Sequence, residues 1–214
     1  MNGNGVIHAP AAQVLELLLE ETAARHRHLC PRQVLGVRLG LRGLRELGLV
    51  SPNYAPRFDN GRKRLWTFVE MDGCGMDGVA VATGCDVGRR TLRVHDFGKV
   101  ATTLVDRQTG QAVRVAPHPD VRQGVQYYAP DARSRWHAYL EAYQVMPDEE
   151  LLTVQSVALI RPVEAIISRP GARVICQQCG EEVMNEREVV QNGRILCRAC
   201  AGESYYTPSI PEAR

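Results

Sequence analysis

From Ala11 to about Arg25 the apolar residues Val14, Leu15, Leu18 and Leu19 recur at helical spacing, with Glu16, Glu20 and Glu21 on the other faces. The pattern predicts an amphipathic helix. A second periodic run starts at Pro31 and passes through Val34, Leu35, Val37, Leu41, Leu44 and Leu47. It ends at Gly48, which suits the position just past a helix C-terminus. Gly36, Gly40 and Gly43 interrupt this run. An interior glycine costs a helix about 1 kcal/mol against alanine, so three of them imply close approach of a packed sheet or a partner helix.

Strand patterns follow. Residues 51–57 read as loop or edge, and Asp59-Asn60-Gly61 before the run 64–71 predicts a hairpin. Residues 79–83 (VAVAT) are too short a run for periodicity to separate strand from helix, and a short helix capped by Asp77 and closed by Gly84 is the favoured reading. Residues 91–95, 100–106 and 111–116 read as strands of an antiparallel sheet, the last two joined by a turn over 107–110. Helical periodicity returns at Pro130-Asp131, carries Trp136, Tyr139, Leu140 and Tyr143 on one side, and stops before Pro147. A last strand is expected over 151–160. The class is α+β, an antiparallel sheet packed by helices.

Composition changes the picture little. The chain has 214 residues, a net charge of +2 and 23% charged residues, which describes an ordinary globule with no bulk preference for nucleic acid or acidic surfaces. No basic segment precedes the first apolar run and glutamates break that run, so the expectation is a cytoplasmic protein without signal peptide or membrane span. Seven cysteines are present, four of them in two CxxC pairs, which in a reducing compartment points to metal rather than disulfides.

Two prolines and a glycine bracket a short apolar segment at 161–173, which reads as a linker between a core at 1–160 and a finger at 174–214. In the finger, 17 residues separate Cys179 from Cys197 in the pattern Cys176-x-x-Cys179…Cys197-x-x-Cys200. That spacing lets four thiolates converge on zinc. With Asn192-Gly193 as a hairpin turn between the two knuckles, a short terminal helix completes a treble-clef or ribbon finger. Residues 161–214 hold seven arginines, no lysine and seven glutamates. The basic footprint that phosphate binding needs is missing, and the zinc is expected to stabilise the fold or contact protein.

Chemistry in the core gathers around His26-Arg27-His28-Leu29-Cys30-Pro31. Proline at the first helical position puts Cys30 at the N-cap, where unpaired backbone donors and the helix dipole favour thiolate. Gly73-Cys74-Gly75-Met76-Asp77-Gly78 satisfies GxGxxG, but too few residues follow for a dinucleotide-binding crossover helix. Asp96-Phe97-Gly98 matches a kinase tripeptide without any accompanying phosphate loop. Cys30, Cys74 and Cys85 each lie beside a Pro or Gly break, where scaffolds present functional groups. The expectation is that His26, His28, Cys30, Cys74 and Cys85 converge on a zinc-like metal with an open position, with Asp77 and Lys99 as orienting or charge-stabilising groups. Cys30, Asp77 and Lys99 are the candidate catalytic groups should the site be an enzyme's.

HRHLCPRQVLGVRLG resembles the HGHxCPG-type opening of the FmdE family, the proteins like the FmdE component of molybdenum or tungsten formylmethanofuran dehydrogenase. CGMDGVAVATGCDVGRRTLRVHDFGKVAT resembles the family's second block, and together the likeness covers most of residues 12–160. The finger is similar to the treble clef that some members carry. The resemblance implies an α+β core, a homodimer and a cleft holding the positions matched by His26, His28, Cys30, Cys74, Asp77, Cys85 and Lys99. It implies an accessory or metal-handling role around a molybdopterin enzyme; zinc in the finger and a second metal in the core are expected from the residues themselves. An enzyme using a Cys thiolate or metal-bound water, and a finger-based regulatory module, are the alternatives. Arg27 and Arg32 stand where the family tends to have glycine, and Asp86 where it tends to have threonine. The arginines would deepen the thiolate character of Cys30, bind an anion such as molybdate, or narrow the cleft.

Overall fold

The structure is a computed structural model that describes residues 12–54, 56–167, 169 and 171–207. It divides into two units, Met1–Ala158 and Leu159–Arg214, each with its own core. Among the described residues, no helix is long and apolar enough to cross a membrane.

The first unit opens with α1 (Ala12–His26), which buries Leu15, Leu18 and Leu19, and α2 (Pro31–Glu46), which is buried along most of its length. The glycines of α2 explain that burial. A methyl group on Gly36 would sit 2.1 Å from the Gly75 carbonyl oxygen of α3 (Cys74–Thr83), and one on Gly40 would meet Ala82 and Thr83. The pairs Gly36/Gly75 and Gly40/Ala82 set the two helices side by side in the same direction. Gly43 faces Leu104 of the sheet instead. Both close approaches expected from the sequence, a helix and a sheet, are therefore present on one element.

Five strands, β1 (Leu65–Val69), β2 (Leu92–Val94), β3 (Thr102–Asp106), β4 (Ala112–Pro117) and β5 (Leu152–Val157), form a sheet in the order β2-β1-β3-β4-β5. Three pairings are antiparallel, as expected, but β1 pairs with β2 in parallel, Thr67 opposite Leu92. Parallel neighbours need a crossover, and α3 supplies it. The predicted hairpin at Asp59-Asn60-Gly61 is corrected: among the described residues no strand precedes β1, whose partners are β2 and β3. Asn60 is buried instead, accepting from the Leu65 N–H at 2.9 Å and donating to its carbonyl at 3.0 Å, so it pins the start of β1.

Two short helices were not legible in the sequence, α4 (Val121–Tyr128) and α6 (Asp148–Leu151). Between them, α5 (Arg135–Val145) starts after a Ser134 N-cap, later than Pro130-Asp131 suggested. Arg38 of α2 reaches its C-terminal end, donating to the carbonyls of Tyr143 and Met146 at 2.8 and 2.7 Å and to Asp148 at 2.8 Å.

The second unit has a short α7 (Val163–Ile167) and two small hairpins. β6 (Arg173–Ile175) pairs with β7 (Glu182–Met184), and β8 (Val189–Gln191) with β9 (Arg194–Leu196). Asn192 and Gly193 have φ of 53° and 74°, both left-handed, as the tight turn predicted there requires. A final helical turn spans Ala199–Glu203.

Candidate metal and thiol site

Cys30 takes its place from the local sequence. It is the N-cap of α2 with extended backbone, Pro31 follows at the first helical position, and the Gln33 side chain accepts the Cys30 N–H at 2.8 Å. Gln33 is fully buried and also donates to the Thr22 carbonyl of α1 at 3.2 Å. One carboxamide thus satisfies an orphan donor at the helix start and ties α1 to it. The Cys30-x-x-Gln33 spacing is that of a capping box, a signal passed over in the sequence.

Cys74 opens α3. Its predecessor Gly73 has φ of 80°, which glycine adopts without a Cβ penalty, and this turns the chain into the helix. Because α2 and α3 run in the same direction, their N-termini lie at one end, and the two sulfurs are 3.2 Å apart. Two helix starts, each the positive end of its dipole, therefore flank one thiol pair. Burial and the adjacent Cys30 sulfur push the Cys74 thiol up to about 11, while Arg32 pulls it the other way. Cys74 holds its proton at neutral pH and would release it to bind a metal.

His26, the last residue of α1, has Nε2 at 2.6 Å from Asp77 Oδ2 in the first turn of α3. Asp77 is a ring-orienting carboxylate rather than the helix cap expected of it; Gly73 holds that position. The His28 ring stands edge-on to the His26 ring, centroids 6.4 Å apart.

One predicted member lies elsewhere. Cys85 follows the other end of α3, a ten-residue helix about 15 Å long. It is buried there and takes hydrogen bonds from Asn60 Nδ2 at 3.3 Å and Thr67 Oγ1 at 3.2 Å. Burial raises its pKa, so it is an inert structural thiol. The backbone N–H of Lys99 donates to the Glu70 carbonyl at 3.0 Å. The Arg114 guanidinium, with a smaller effect from Lys99, holds the Glu70 carboxyl below its ordinary value. The structure thus brings together Cys30 with Cys74 and His26 with Asp77, and leaves Cys85 apart from them.

Among the described residues, the group of three or more metal-ligating side chains that does converge is Cys176, Cys179, Cys197 and Cys200, with ligand atoms all within 4.8 Å of one another. Zinc at about 2.3 Å from four sulfurs needs sulfurs roughly 3.8 Å apart; Cys179 and Cys197 are at 3.9 Å. The fit is good. Backbone N–H groups of Cys179 and Cys197 lower the Cys176 thiol to about 6, whereas a hydrogen bond with Cys197 pushes Cys200 up to about 12. One cysteine is ready to ionise, and a cation would have to draw the proton from the other.

Residues 25–153 match the family described as FmdE, molybdenum formylmethanofuran dehydrogenase operon, and residues 169–206 match the prokaryotic dksA/traR C4-type zinc finger. A probable S-adenosyl-L-methionine-binding protein of Archaeoglobus fulgidus is 31% identical over 92% of this chain, which spans 55% of that relative's length. A crystal structure of an FmdE-like protein of the tungsten formylmethanofuran dehydrogenase type, from Syntrophus aciditrophicus, superposes with a TM-score of 0.60. The identity is 22%, over 90% of this chain and 95% of that one, and the likeness is one of fold.

Proposed function

We propose, from the premise that this chain belongs to the FmdE family, that it is a metal-binding accessory protein linked to a molybdenum or tungsten enzyme system. The observation that carries the reading is the Cys30–Cys74 sulfur pair, 3.2 Å apart at two adjacent helix starts. Thiolates suit zinc and softer ions. His26, whose Nε2 is held by Asp77, would offer its other ring nitrogen, and a carboxylate behind a ligating imidazole fixes its orientation and basicity. The core metal is expected to keep an open position, since these residues supply at most three ligands. Arg27 and Arg32 add positive charge beside it, which suits an oxyanion such as molybdate. A homodimer and a molybdopterin-enzyme partner are part of the proposal, as is a finger that contacts protein through its zinc-stabilised surface.

Elemental analysis of freshly purified protein tests the reading, comparing wild type with Cys30→Ser and Cys197→Ser. About two metals per chain are expected, one lost in each variant. About one metal, lost only with Cys197→Ser, would sink the core site. The name of the Archaeoglobus relative adds S-adenosyl-L-methionine as a small molecule to include in equilibrium dialysis of the same preparations.

A further inference from the structure

We propose that Cys30 and Cys74 are a reversible redox pair, which a low-molecular-weight disulfide of the glutathione class oxidises to one internal disulfide joining the N-termini of α2 and α3. This goes beyond the metal reading and does not rest on it. The sulfurs are 3.2 Å apart, and a disulfide needs about 2.05 Å, so they must close by about 1.1 Å. The scaffold keeps them in register. Methyl groups on Gly36 and Gly78 would meet backbone atoms of the facing helix at 2.1 and 2.4 Å, so the two helix starts cannot drift apart without breaking this close backbone packing. Both thiols are partly exposed, whereas Cys85 is buried among hydrogen-bond donors.

The surroundings also fit a dithiol. As the side chains stand, with His26 Nε2 engaged by Asp77, the two sulfurs form no group of three ligand atoms among the described residues, so the other ring nitrogen of His26 would have to move in to join them, whereas the four finger sulfurs already converge. A closed four-ligand site shields its thiolates from electrophiles. A pair at the surface does not.

The chemistry is thiol–disulfide exchange. One cysteine thiolate attacks a sulfur of the external disulfide RSSR, forming a mixed disulfide and expelling RS⁻. The second cysteine thiolate attacks the protein sulfur of that mixed disulfide, forms the Cys30–Cys74 bond and expels the other RS⁻. Two electrons pass to the external disulfide, and the two cysteine protons end on the two RSH released. Excess RSH runs the steps backwards. The oxidised pair has no thiolate to offer, so the same two residues cannot hold a metal until reduced.

The test uses the full chain with its finger metal in place. Wild type, Cys30→Ser and Cys74→Ser are incubated with oxidised glutathione, alkylated, digested without reduction and mapped by mass spectrometry. Wild type is expected to give a Cys30–Cys74 linked peptide that disappears with reduced glutathione, with Cys85 unmodified. Each serine variant is expected to accumulate a stable glutathione adduct on the remaining cysteine, because its resolving thiol is gone. A persistent adduct on wild-type Cys30, a link from either cysteine to a finger cysteine, or two unmodified thiols would overturn the proposal whatever the metal content. Failure of the metal reading shows separately, as about one metal per chain in the reduced protein.

Discussion

Arg38 shows what a single residue can hide. It sits in the middle of α2 with no exposed surface, donates to three carbonyls at the end of α5, those of Tyr143, Gln144 and Met146, and pairs with Asp148. These carbonyls are orphans of a helix C-terminus, and a buried cation satisfies them. Asp148 is equally buried and also takes the Tyr54 hydroxyl at 2.9 Å and Arg45 at 3.1 Å. Burial and Asp148 together raise the pKa of that hydroxyl, which keeps it a donor. Removing Arg38 leaves three carbonyls without their donor and strips buried Asp148 of one of its cations, so Arg38→Met is expected to cost about 3–5 kcal/mol in urea unfolding at neutral pH. A cost below about 1 kcal/mol, the range of an exposed pair, would show that the network is dispensable. No local pattern announces this residue. Arg38 and Asp148 are 110 positions apart, and an arginine on an amphipathic helix reads as a solvated face. Cys30 and Asp77 were legible because their chemistry marks them wherever they pack.

At the scale of elements, the α2–α3 pair fixes the site. Alanine is a better helix former than glycine by about 1 kcal/mol, so on propensity alone Gly36→Ala should stabilise α2. Packing reverses the sign, because the new methyl would meet the Gly75 carbonyl oxygen at 2.1 Å and the Val79 nitrogen at 3.1 Å, backbone atoms that cannot rotate away. Gly36→Ala is expected to lower stability by at least 1–3 kcal/mol, roughly the cost of overpacking. Gly124→Ala in α4 is the control, since its methyl would meet only the flexible end of Met146 at 3.4 Å. A thermal melt in which Gly36→Ala matches or exceeds wild type would refute the close-contact argument. The glycine stripe was readable because glycines inside a periodic run need a reason. The start of α3 was not. Gly73, Gly75 and Gly78 look like loop, and only the contact with α2 makes Gly75 and Gly78 helical positions, with Gly73 as the cap before them. The parallel β1–β2 pair was hidden for a similar reason: strand patterning gives a face, while the partner depends on the path of the crossover. The Asp59-Asn60-Gly61 signal was a real turn, spent on pinning β1 rather than on joining two strands.

At the scale of the molecule, the two units draw their stability from different sources. The first has an extensive core from α1 to β5, while the core cluster of the second, among the described residues, is Cys176, Val183 and Leu196, with Val174, Cys197, Cys200 and Ala201 partly buried against them. Fixing a residue's backbone costs about 1–2 kcal/mol, and a cluster that small cannot order a segment of this length. Four thiolates on zinc contribute about 10–16 kcal/mol, which can. The dksA/traR C4-type match and the converging sulfurs make Cys176, Cys179, Cys197 and Cys200 the residues that would hold that metal. Treatment with a strong chelator at neutral pH should therefore abolish amide hydrogen-exchange protection in β6–β9. Protection in β1–β5 and α2 should persist, since their apolar contacts do not depend on the metal. Cys197→Ser should reproduce the chelated pattern without chelator. Protection in β6–β9 that survives metal removal would mean that the hairpins and their small core hold the unit by themselves. Loss of protection in β3 or β4 on chelation would mean that a metal also sustains the first unit, a much stronger role than the Cys30–Cys74 pair has been given.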